Sequence, residues 1–102
     1  MDLGLEDKVV IVTGGGSNIG RAIALGFADE KAHVIIFEID EEQGQKVANE
    51  CLERGAKSAI CIRCDVSDYD QVRASVKQVI DKYGRIDVLV NNVGWNVDQL
   101  FL

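Results

Sequence analysis

The chain has 102 residues, 47% of them hydrophobic and 27% charged, which is length for one compact domain and a composition that excludes disordered and fibrous classes. Seventeen acidic against eleven basic residues give a net charge of −6 without any Lys/Arg-rich run, so no nucleic-acid partner is expected. No apolar run approaches the ~20 residues that span a bilayer, and the start, Met1-Asp2-Leu3, lacks the charged and apolar segments of a signal peptide, so no membrane partner is expected either.

Lys8 to Val12 has the continuous apolar character of a buried strand and runs into the cluster Gly14-Gly15-Gly16. A helical pattern follows from about Ile19 to Glu30, with Ile23, Ala24 and Phe27 sharing a face. Ala32 to Phe37 reads as a second buried strand. Asp40 and Gln43 have the spacing of a capping box at the next helix start, where the run Asp40-Glu41-Glu42 also suits the helix dipole. Val47, Ala48, Cys51 and Leu52 fall on one face of that helix, and Gly55 is placed to end it. Ser58 to Cys64 is the third strand. Ser67 and Asp70 suggest another capped start, followed by an apolar stripe at Val72, Val76, Val79, Ile80 and Tyr83 and a stop at Gly84. Ile86 to Val90 is the fourth strand, and residues from Asn91 onward are expected to form a loop leading into another helix.

Alternating strands and helices, joined by right-handed crossovers, predict a three-layer α/β fold with a parallel sheet in the order 3-2-1-4. Two helices would cover one face and the third the other. The fourth strand would then stand at an open edge, which invites pairing with another chain, so a homo-oligomer, a partner-dependent chain or a marginally stable one is expected.

The segment Thr13-Gly14-Gly15-Gly16-Ser17-Asn18-Ile19-Gly20 lies between the first strand and the first helix. A glycine-rich turn there brings backbone N–H groups and a helix N-terminus up to phosphate groups. Gly14 permits the tight turn and Gly20 a close approach of the helix. By itself such a loop is an ordinary turn. Its meaning comes from three further features at the ends of the later strands. Glu38 closes the second strand, eighteen residues after Gly20. Cys64-Asp65-Val66 follows the third strand, and Asn91-Asn92-Val93-Gly94 follows the fourth.

Taken together and in this order, these residues resemble the cofactor-binding half of the short-chain dehydrogenase/reductase family, whose fingerprint is TGxxxGxG. The resemblance runs from about Leu5 to the C-terminus, and the Thr-Gly start and Asn-Asn-x-Gly set the chain apart from SAM-dependent methyltransferases. It implies one half of a Rossmann domain, with residues 1–102 forming an incomplete dinucleotide-binding domain. It further implies an NAD-dependent oxidoreductase acting on an alcohol or carbonyl. Gly14, Ser17, Asn18, Ile19 and Gly20 would meet the pyrophosphate, Glu38 the adenosine ribose, Asp65 and Val66 the adenine, and Asn92 and Gly94 the nicotinamide side. Asn91 would brace the sheet. Asn18 stands where the family has its middle glycine, and asparagine tolerates positive φ best among the other residues. Val93 replaces the family's alanine. A carboxylate at Glu38 repels a 2′-phosphate, and no Lys or Arg precedes Gly20 in the loop, so NAD is expected over NADP.

The family's catalytic Ser and YxxxK are not found here. Four residues after Tyr69 comes Arg73, and four after Tyr83 comes Asp87. No catalytic residue is therefore assigned, and the chain alone is not expected to turn over substrate. Two other readings stay open: a non-catalytic nucleotide-binding or interaction module, and an enzyme completed by another chain. A frame that continues past Leu102 into a YxxxK segment would favour a truncated enzyme.

Cys51, Cys61 and Cys64 are an odd number and read as reduced thiols of a cytoplasmic protein. Cys61-Ile62-Arg63-Cys64 is a CxxC within a strand, where residues three apart point to opposite faces, so no metal or redox role is expected. His33 is expected to be structural, and Trp95 to pack rather than flank the nicotinamide.

Overall fold

Val9–Thr13 forms β1 with all five residues buried, as a strand covered on both faces requires. The computed structural model describes residues 4–92. Within them β1 is followed by α1 (Asn18–Asp29), β2 (His33–Glu38), α2 (Glu41–Arg54), β3 (Ser58–Arg63), α3 (Tyr69–Tyr83) and β4 (Val88–Val90). All pairings are parallel and the sheet order is β3-β2-β1-β4, the order read from the sequence. Ile11 lies between Ile35 on β2 and Leu89 on β4, which fixes the register across the centre.

Alternation along the strands divides the core in two. Val10, Val12, Val34 and Ile36 face Ala24, Leu25 and Ala28 of α1 and Val47, Ala48 and Cys51 of α2. Val9, Ile11, Ile35 and Phe37 face Val79 of α3, with Val72, Val76 and Tyr83 packed alongside. The result is three layers, two helices on one face and one on the other. Each buried Val, Ile or Phe contributes roughly 1.5–3 kcal/mol relative to exposure. Two exposed Arg–carboxylate pairs, Arg21 with Glu50 and Arg54 with Asp29, join α1 to α2. No helix among the described residues is long and apolar enough to cross a membrane.

The helix starts differ in detail from the sequence reading. α1 begins at Asn18 because the Ser17 hydroxyl caps it, accepting from the Gly20 amide at 3.1 Å. Asp40 caps α2 by accepting from Gln43 N at 3.2 Å. The reciprocal half of the capping box does not form, because the Asp40 amide donates to Glu38 Oε2 at 3.1 Å. α3 is capped by Asp68, not Ser67: Asp68 Oδ1 accepts from Asp70 N and Gln71 N. Ser67 turns back to Asp65.

Leu52 and Ile80, expected on the buried stripes, are 48% and 42% exposed. Each follows a fully buried residue, Cys51 or Val79, and the step of about 100° per residue carries it away from the sheet. Gly55 and Gly84 end their helices in the left-handed region, as expected.

β4 is shorter than expected. The Val9 amide goes to the Asp87 carboxylate at 2.8 Å, so the ladder to β1 begins only at Val88. Among the described residues β4 is the edge of the sheet, and Leu89 on its α3 side is 61% exposed.

Candidate functional site

The parallel strands all deliver their carboxyl ends to one edge of the sheet, and every described site residue read from the sequence lies there. β1 stops at Thr13 and α1 starts at Asn18, so the reversal is made by Gly14 to Ser17. Gly14 has φ +64°, and a Cβ on it would sit 2.5 Å from the Asn92 carbonyl oxygen, so conformation and space both require glycine. Gly20 faces the same junction: a Cβ there would overlap the Gly14 carbonyl oxygen and lie 2.9 Å from Asn92 Nδ2.

Ser17 ties the loop together. Its hydroxyl donates to the Gly14 carbonyl at 2.9 Å and accepts from the Gly20 amide, and Asn92 Nδ2 donates to it at 3.2 Å. Asn18 is the first helical residue, and among the described residues the non-glycine positions with positive φ are Asp7 and Lys31. The expected need for left-handed tolerance at Asn18 therefore does not arise, since a helix start requires ordinary φ. The amides of Asn18 and Ile19 have no protein acceptor among the described residues, the usual state of a first helical turn.

Thr13, which carried no separate role in the sequence reading, is the buried polar centre of this edge. Its hydroxyl accepts from the Asn92 amide at 2.8 Å and lies within donating distance of Asn91 Oδ1 (3.2 Å) and the Val90 carbonyl (3.4 Å). The expected bracing by Asn91 thus runs through Thr13. The available signal was a hydroxyl closing an otherwise apolar strand.

Glu38 ends β2 with its carboxylate turned toward the loop. Oε1 accepts from the Gly16 amide at 2.8 Å and Oε2 from the Asp40 amide at 3.1 Å. Asp65 follows β3, its amide donating to Gln71 Oε1 at 2.9 Å. The Ser67 hydroxyl (2.6 Å) and then the Ser67 amide (3.0 Å) donate to Asp65 Oδ1 and hold its carboxyl below the usual carboxylate range. Gly14, Glu38, Asp65, Val66 and Asn92 line a single cleft of about 120 Å³. Ser17, Asn18, Ile19 and Gly20 form the adjoining loop and helix start. Gly94 and Trp95 lie outside the described residues.

Cys61 packs toward α1 and α2 and Cys64 toward α3, the opposite orientations expected of the CxxC pair. Burial pushes the Cys51 and Cys61 thiols up to about 11. His33 Nδ1 lies 2.8 Å from Ser58 Oγ, which lies 2.8 Å from the Tyr83 hydroxyl, a polar junction at the opposite end of the sheet. Among the described residues no group of three or more His, Cys, Asp or Glu is placed to hold a metal ion.

The family model for short chain dehydrogenases matches residues 8–102. The chain belongs to the short-chain dehydrogenase family. It is 42% identical over 90 residues to short-chain dehydrogenase reductase 5 of Arabidopsis thaliana, covering 88% of this chain and 34% of that protein. It is 46% identical over 88 residues to an uncharacterized oxidoreductase of Thermotoga maritima, covering 86% and 34%. Among solved structures, an NAD+-bound xylitol dehydrogenase superposes with a TM-score of 0.84 at 35% identity, over 89% of this chain and 35% of that one. The chain thus spans about a third of the length of the curated relatives it matches.

Proposed function

We propose that this chain is the dinucleotide-binding portion, residues 1–102, of an NAD-dependent oxidoreductase acting on an alcohol or carbonyl. The observation that carries the reading is the convergence of Gly14, Glu38, Asp65, Val66 and Asn92 on one cleft beside a helix start with two amides that have no acceptor among the described residues. Likeness to a xylitol dehydrogenase with NAD+ bound supports it. In this reading NAD supplies hydride transfer, and the residues described here hold and orient it.

The Asn18 and Ile19 amides and the positive end of α1 face the pyrophosphate, with Ser17 and Gly20 fixing their direction. Each Glu38 oxygen has one backbone donor and a further lone pair, which suits the two ribose hydroxyls. Its charge disfavours a 2′-phosphate, hence NAD over NADP. Asp65, kept ionised by Ser67, and Val66 flank the adenine. Asn92 and Gly94 are assigned to the nicotinamide side by the family resemblance alone, and no catalytic residue is assigned in this chain. We further propose a homo-oligomer formed through the open β4 edge, where Leu89 is exposed, and a reducing cytoplasmic setting, which suits the free thiols.

Calorimetric titration with NAD and NADP tests the cofactor, with sedimentation of the same sample testing association. Saturable binding, tighter for NAD, with Glu38→Ala weakening NAD selectively, is expected. A folded chain whose Glu38→Ala variant binds NAD as well as the wild type removes the ribose assignment. Leu89→Lys is expected to shift sedimentation toward monomer, and an unchanged profile removes the β4 interface.

A further inference from the structure

The Glu38 carboxylate is held by donors from two segments: the Gly16 amide from the β1–α1 loop and the Asp40 amide at the start of α2. What lets the second segment come so close is Gly44. It is buried in α2, and its amide donates to the Asp40 carbonyl at 2.9 Å. A Cβ built on it would lie 2.9 Å from Glu38 Cβ and 3.2 Å from Glu38 Cγ, and would overlap Cys61 Sγ. Glycine is among the least favourable residues for a helix interior. Here its lack of a side chain seats the first turns of α2 directly on the stem of Glu38. On the loop side, a Cβ on Gly16 would lie 2.7 Å from Glu38 Oε1, so the carboxylate is enclosed from both directions.

We propose that Gly44 is a positioning residue for nucleotide selectivity. By letting α2 rest on Glu38 it presents the Asp40 amide to Oε2 and fixes the carboxylate in one place. A side chain at 44 lifts α2, withdraws that amide and frees the carboxylate to turn away from the ribose. Discrimination between a 2′-hydroxyl and a 2′-phosphate then falls. This rests on the ribose reading of Glu38 given above.

The test measures NAD and NADP dissociation constants for the wild-type chain, Gly44→Ala, Gly44→Ala/Cys61→Ala and Glu38→Ala. Gly44→Ala is expected to weaken NAD by about tenfold with little change for NADP, the effect of losing one charge-assisted hydrogen bond. Removing Cys61 Sγ relieves the overlap that threatens folding but leaves the Glu38 contacts, so the double variant regains thermal stability and keeps the narrowed ratio. Hydrogen exchange at the Asp40 amide is expected to quicken in both Gly44 variants. A folded double variant with the wild-type ratio and a protected Asp40 amide overturns the proposal. If Glu38→Ala collapses the ratio while the Gly44 variants keep it, the role of Gly44 alone falls. If Glu38→Ala leaves the ratio unchanged, or a folded wild-type chain binds neither nucleotide, the ribose reading falls and this proposal with it.

Discussion

Thr13→Val replaces the hydroxyl at the end of β1 with a methyl of nearly the same volume. Thr13 is buried, so the change is felt through hydrogen bonds and not through space. The Asn92 amide loses its acceptor at 2.8 Å, and the Val90 carbonyl and Asn91 Oδ1 lose a shared donor. Leaving a buried N–H unpaired costs about 1–3 kcal/mol. Asn92 is only partly buried, so water recovers some of this, and the added methyl returns up to about 0.8 kcal/mol. The net expectation is a loss of about 1 kcal/mol, which for a domain of this size lowers Tm by roughly 4–8 °C. Urea unfolding should show a lower midpoint at unchanged m. Hydrogen exchange separates this cause from a general packing defect: the Asn92 amide should lose protection in Thr13→Val and keep it in Thr13→Ser. A Thr13→Val chain as stable as the wild type, with Asn92 still protected, would refute the role assigned to the hydroxyl.

Three further outcomes are expected. Gly26 is exposed within α1 and a Cβ on it meets nothing within 4 Å, so Gly26→Ala should raise stability by about 0.5–1 kcal/mol in the same urea assay. The Val9 amide, and then Arg85, hold the Asp87 carboxyl below the usual carboxylate range. A depressed native pKa stabilises the fold above the unfolded value of about 3.9 and is lost as pH falls through the native one. Asp87→Asn should therefore be less stable than wild type at neutral pH and converge on it in acid; a gap independent of pH would count against this. Cys51 is fully buried and Cys61 partly so, and burial pushes both thiols up to about 11, so a thiol reagent at neutral pH should leave Cys51 unlabelled until denaturant is added and label Cys61 only slowly. Rapid labelling of Cys51 in the folded chain would contradict its burial.

The parts of the fold legible in the sequence were those with one dominant cause. Val9 to Val12 and Val34 to Phe37 are too continuously apolar for anything but strands covered on both faces, and handed crossovers then leave few strand orders. The clustering of Glu38, Asp65 and Asn92 was equally legible, because parallel strands present their carboxyl ends at one edge. What escaped depends on encounters between distant segments or on a choice between near-equal local partners. The Thr13 hydroxyl meets an amide 79 positions away, and the spacing of residues along the chain carries no mark of that meeting. Ser67 and Asp68 are both good caps, and α3 takes Asp68 because Asp65 has already engaged Ser67. Positive φ is expected at Asn18 because the residue stands at the family's middle glycine, but the Ser17 cap makes it the first residue of α1, where φ is ordinary.

The same strand-end chemistry that closes the fold also defines what the cleft can bind. Where a strand stops, its neighbours leave amides with no ladder partner. Here side chains take most of them: Thr13 accepts from Asn92, Glu38 from Gly16 and Asp40, Ser17 from Gly20 and Asp65 from Ser67. Each of these bonds fixes the direction of a loop as well as satisfying a donor. The Asn18 and Ile19 amides are left over at the start of α1, and the helix dipole gives that end partial positive charge. In the proposed reading the pyrophosphate meets those donors, and the nearby Glu38 carboxylate would repel a second phosphate beside it. Selectivity and phosphate affinity would then depend on separate residues. Substitutions at Glu38 should alter the ratio between nucleotides while leaving the pyrophosphate contacts in place, whereas loss of the Ser17 cap should weaken both nucleotides alike.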